Sequence, residues 1–134
     1  MRSSANRMLA TIFGAAYLLI GGAGFTVTAG VGFFQTPGGL LFGLFEVNLA
    51  HNVAHLAIGL ALVIAGVAGV RAAKAANVAV GTLYLLLGLA GLFVVGGPFN
   101  LLAINGADNV LHFASATLLL AVALGAERRP APAA

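Results

Sequence analysis

The sequence contains no cysteine. Disulfides and thiolate metal sites are therefore excluded, and cysteine usage says nothing of redox compartment. Charge is also scarce. Only 7% of the 134 residues are charged, against about 25% in a soluble domain. So few charges cannot cover a water-facing surface. With 61% hydrophobic residues and a mean hydropathy of +1.09, the composition calls for lipid as solvent. The six basic residues are scattered, so the net charge of +3 makes no nucleic-acid patch, and no nucleic-acid partner is expected.

What is present is apolar sequence in four long runs. A membrane helix needs roughly 20 such residues. The runs cover about 8–29, 47–70, 75–96 and 106–125. Arg2 and Arg7 precede the first, Arg71 and Lys74 form a basic turn between the second and third, and Arg128 and Arg129 follow the fourth. The loops around 31–45 and 97–104 hold neither Lys nor Arg. The positive-inside rule then places both termini in the cytoplasm. A cleaved signal peptide over residues 1–30 competes for the first run, with Thr28-Ala29-Gly30 as the cleavage region. The run is long for that, and it has a counterpart within the chain.

That counterpart is part of an internal repeat. Gly14-x-x-Tyr17-Leu18-Leu19-x-Gly21-x-x-Gly24 returns as Gly81-x-x-Tyr84-Leu85-Leu86-x-Gly88-x-x-Gly91. Asn48-x-x-His51-Asn52-x-x-His55 returns as Asn105-x-x-Asp108-Asn109-x-x-His112. Span one thus matches span three, and span two matches span four. The expected fold is all-α: one polytopic membrane domain of four transmembrane helices, built from two parallel-repeated hairpins (about 8–70 and 75–125) about a pseudo-two-fold axis along the membrane normal. Small-residue stripes, Ala57-Ala61-Ala65-Gly69 and Thr117-Ala121-Gly125, allow close helix approach within the bundle or against a second copy. Gln35-Thr36-Pro37-Gly38-Gly39 and Gly96-Gly97-Pro98 are turn signals. The apolar 40–45 segment is expected to lie in the interface or re-enter, and residues 126–134 to form a disordered cytoplasmic tail.

The second repeated motif gathers strongly polar side chains at the outer ends of spans two and four. Positions i, i+3, i+4 and i+7 share a helix face. Asn48, His51, Asn52 and His55 therefore align, as do Asn105, Asp108, Asn109 and His112. Counted from Glu46, His55 lies about 13 Å deep, close to the middle of a hydrocarbon core about 30 Å thick. Polar groups there are expensive and must face the bundle or a vestibule. Across the axis, Asp108 is matched with His51, and His55 with His112. An outward-opening polar cluster between spans two and four is expected.

Four roles compete for it. The first is structural: interhelical hydrogen bonds that fix register in a structural or accessory protein. The second is a cofactor site. His51 and His55, with Asp108, His112 or Glu46, could hold a divalent metal, or His55 and His112 could ligate haem in a membrane redox protein. No H-E-x-x-H pattern is present. The third is proton or solute transport, against which the cytoplasmic halves of the spans carry almost no polar residues. The fourth is an enzyme such as a small quinone-linked oxidoreductase, but no nucleophile–base arrangement stands out, and no catalytic residue is assigned. Ser115 and Thr117 read as interhelical donors, and Tyr17 and Tyr84 as core residues.

The stretch Gly43-Leu44-Phe45-Glu46-Val47-Asn48 through His51, Asn52 and His55 to Leu56 and Gly59, with Asn105…His112 and the Gly14/Tyr17 motif and its copy, resembles a bacterial four-helix membrane family catalogued as domain of unknown function 4383. The resemblance covers about residues 5–126. It implies a topology and a bacterial cell-membrane location, and neither substrate nor catalytic residue. The family pattern has Pro where Leu49 stands.

Overall fold

The computed structural model describes residues 4–127. The disordered tail expected over 126–134 lies, from residue 128 on, outside the described residues. Four helices form: α1 Ala5–Gly24, α2 Leu49–Ala68, α3 Val70–Val94 and α4 Gly106–Gly125. Each is long and apolar enough to cross a membrane. Their outward faces carry large apolar side chains such as Leu19, Ile64, Val67, Leu86 and Phe93. Such a surface suits a multi-pass membrane protein, whose solvent is lipid.

The helix ends follow from local chemistry. Ser4 caps α1 by accepting from the Arg7 amide, and the Thr26 and Thr28 hydroxyls take up the carbonyls of Ala23 and Gly24 at its end. α1 therefore stops about five residues before the apolar run does. Asn48 caps α2 through the His51 amide at 2.9 Å. Leu49 is the first residue of α2, where Pro is well tolerated because no intrahelical donor is required. The Asn48 cap starts the helix without it.

The sequence placed a basic turn between spans two and three. The structure instead puts Arg71 and Lys74 in the first turns of α3, and Gly69 alone separates the two helices. Ala, Arg and Lys are good helix formers. Gly69, at φ 145°, supplies a backbone conformation closed to other residues. Residues 39–47 have a secondary structure of their own. They build an antiparallel hairpin, β1 Gly39–Leu41 with β2 Phe45–Val47, pairing Leu40 with Glu46. Its tip passes through Phe42 and Gly43, both at positive φ.

α1 packs along α2, and α3 along α4; α1 and α4 touch far less. The α1–α2 seam runs through Gly14 and Gly59, where a Cβ on either would come within 3 Å of the other's carbonyl oxygen. Of the stripes read from the sequence, Ala57, Ala61, Thr117, Ala121 and Gly125 are exposed, and Ala65 and Gly69 are half-buried. Where the bundle is tightest, Tyr17, Leu62, Tyr84, Ala116 and Leu119 form the core. Dispersion between closely packed helices supplies the holding energy, since lipid gives no hydrophobic drive between them.

The end of the bundle at Ser4 and Glu127 is more polar than expected. Asn6 and Asn77 are fully buried. Asn77 Nδ2 donates to both the carbonyl and Oδ1 of Asn6 at 3.0 Å, and Asn6 Nδ2 donates to Glu127. Hydrogen bonds from Ser4, then Asn6, hold the Glu127 carboxyl below its ordinary range. Arg7 donates to the Gly66 and Val67 carbonyls at the end of α2, where a cation also meets the negative end of the helix dipole.

Candidate functional site

At the opposite end, where α2 and α4 begin, the polar residues fall into two groups with different surroundings. The Asn and Asp side chains are engaged with backbone. Asn105 accepts from the Asp108 amide at 3.0 Å, and Asp108 Oδ2 accepts from the Asn105 amide at 2.9 Å. This reciprocal capping box satisfies two donors that a helix start leaves open. Asp108 Oδ2 also accepts from the Glu46 amide of β2 at 3.1 Å. The His51 partner expected for Asp108 is thus replaced by two backbone amides. The Glu46 carboxylate, for its part, accepts from the Gly38 amide at 2.8 Å.

The two capping asparagines also cross between the outer loops. Asn48 Nδ2 donates to the Leu101 carbonyl at 2.9 Å, and Asn105 Nδ2 donates to the Leu44 carbonyl at 2.8 Å. Leu44 and Leu101 hold the same place relative to the two Asn motifs, four residues before each cap. Thr36 adds a bond to the Asn100 carbonyl, and Asn100 braces its own loop with two bonds to Ile104. The loops are clasped to one another.

Asn52 and Asn109 sit one turn deeper in α2 and α4. A Cβ on Gly24 would strike the Asn52 amide, and one on Gly91 the Asn109 amide. Each asparagine therefore fits a notch that glycine makes in the partner helix. Asn52 is further tied to the Thr28 hydroxyl at 3.1 Å.

The histidines behave otherwise. His51 and His55 lie with ring centroids 4.5 Å apart, and His51 and His112 6.3 Å apart. His55 stacks on Tyr17 at 5.5 Å, Tyr17 on Tyr84 at 5.3 Å, and Tyr84 lies 5.3 Å from His112. The five rings make a closed circuit. His55 and His112 are linked in it through the two tyrosines. Among the described residues, no group of three or more His, Asp or Glu stands in a metal-holding arrangement.

In this circuit His51, His55 and His112 Nδ1 and both tyrosine hydroxyls are buried without a hydrogen-bond partner. The Tyr17 hydroxyl stands near Ser115 and Tyr84 but forms no bond of normal geometry. Each unpartnered buried group costs about 1–3 kcal/mol, so five in one place are a costly concentration. All five residues line one cavity of about 290 Å³. Its walls are mainly apolar and come from α1 (Ile12, Ala16, Ile20) and α4 (Leu111, Ser115, Leu118), roofed by Leu41, Phe42 and Phe45 of the hairpin. Ile12, Leu111 and Leu118 are exposed, so the cavity opens sideways between α1 and α4, beneath the hairpin. The vestibule expected between spans two and four is roofed over.

Tyr17, Tyr84 and Ser115 are the site residues that sequence reasoning set aside. Their signal was present for the tyrosines, which occupy matched places in the repeat. For Ser115 no signal existed.

No curated protein and no solved structure matches the chain at a significant level. The family described as Domain of unknown function (DUF4383) matches residues 7–125, and the chain belongs to that family.

Proposed function

We propose that this chain is a non-catalytic accessory protein of a bacterial cell membrane, crossing it four times with both termini in the cytoplasm. The positive-inside distribution of its Lys and Arg supports that orientation. The observation that carries the accessory reading is the reciprocal clasp, in which Asn48 reaches Leu101 and Asn105 reaches Leu44. The most polar motifs of the chain are spent on tying its two halves together. The pairing of matched positions also favours two parallel hairpins related by a pseudo-two-fold axis.

A metal or haem centre is less well supported. Glu46 and Asp108 are engaged by backbone amides, which leaves only the three histidines of the proposed ligand set. Transport is less well supported too. Between the histidines and the buried Asn6–Asn77 pair lies an apolar layer of Leu62, Ala116 and Leu119, with no relay group among the described residues of that layer. The exposed small-residue faces of α2 and α4 remain open to lipid or to a second copy.

Metal analysis and an absorption spectrum of protein purified in mild detergent test this reading. Neither stoichiometric metal nor a Soret band is expected. Either one, lost in the His55→Ala/His112→Ala variant, overturns it.

A further inference from the structure

We propose that the chamber between α1 and α4 binds an uncharged amphiphile of the quinone–quinol class, with a planar, oxygen-bearing head inside and its tail in lipid. The proposal goes beyond the accessory reading, which rests on the loop clasp and not on this chamber.

Four observations converge on that chemistry. The first is access. The chamber's mouth lies between Ile12 of α1 and Leu111 and Leu118 of α4, all exposed to lipid, so the ligand arrives through the membrane. The second is hydrogen-bonding capacity. Five buried polar atoms without partners belong to residues that line the chamber. Four of those residues, Tyr17, His51, Tyr84 and His112, are more than nine-tenths buried. A phenol can donate or accept, and a neutral imidazole nitrogen does either according to its tautomer. Each of these atoms has almost no accessible surface, so the side chains turn toward the chamber when carbonyl and hydroxyl oxygens on one head satisfy both kinds.

The third observation is charge. No Lys or Arg lines the chamber, and its one carboxylate, Asp108, is held by two backbone amides. An anionic head therefore finds no counter-charge there. The fourth is shape. The tyrosine and histidine rings offer flat faces, which a planar head can stack against. The volume of about 290 Å³ lies at the lower end of the usual range of about 300–1,000 Å³. It suits a single ring whose chain remains outside.

The chain supplies its own reporter. Tyr17 and Tyr84 are its only tyrosines, and it has no tryptophan, so all tyrosine emission arises at this chamber. Decylubiquinone titrated into the protein in mild detergent should quench that emission saturably, to a stoichiometry of one. Decylbenzene, with the same tail and no ring oxygen, should bind at least about tenfold more weakly. His112→Leu should weaken decylubiquinone by about tenfold, the loss of one good hydrogen bond. Ala114→Phe, at an exposed position on the lining, should block the mouth without touching the core and abolish saturable quenching. Quenching that rises linearly and persists in Ala114→Phe overturns the proposal. So does equal affinity for decylbenzene, which would mark the chamber as a slot for acyl chains.

Discussion

Two neighbouring polar residue types are used in different ways. Asn48, Asn105 and Asp108 have their oxygens on backbone amides. His51 and His112 are equally buried and leave Nδ1 empty. Removing a satisfied group exposes its partner, whereas removing an unsatisfied one relieves a cost. His112→Leu should therefore unfold in detergent at or above the wild-type midpoint, although it weakens ligand binding. A clear drop in midpoint would mean that His112 has a structural partner. The spacing of these residues on one face was legible in the sequence. Their division of labour was only half legible. Asn105-x-x-Asp108 has the spacing of a capping box, yet Asp108 reads equally as a partner for a histidine until the backbone is in view.

At the element scale, the four helices follow from run length, and the errors cluster at their ends. The hairpin was hidden because residues 40–45 are apolar throughout, so no alternation marks a strand. The start of α3 was hidden because basic residues between two runs suggest a loop, while their helix propensity favours continuation from Gly69. Packing between elements depends on the glycine notches. Asn52 is fully buried and tied to Thr28, so it cannot yield to a methyl group on Gly24. Gly24→Ala should destabilise the bundle by about 1–3 kcal/mol. Gly22→Ala, two residues away with nothing within 4 Å of the added Cβ, should be neutral or slightly stabilising. Equal effects in thermal unfolding would show that the Gly24–Asn52 contact carries no weight.

Across the bundle as a unit, the α1–α2 and α3–α4 pairs meet in three layers: the Asn6–Asn77 pair at one end, the small-residue and tyrosine core between, and the crossed loops at the other end. The matched motifs suggest a two-part architecture. They did not reveal that α1 and α4 part to leave a chamber, because repeat spacing carries no information on how far two helices stand apart. In the proposed role, the polar motifs at the starts of α2 and α4 serve chiefly to clasp the halves. Unfolding of Asn48→Ala, Asn105→Ala and the double variant in one detergent tests this most directly. Each single substitution should cost about 1–3 kcal/mol through the lost cap and the orphaned carbonyl. The double should cost less than the sum, since the two bonds close one interface. Variants as stable as the wild type, or strictly additive losses, would contradict the clasp.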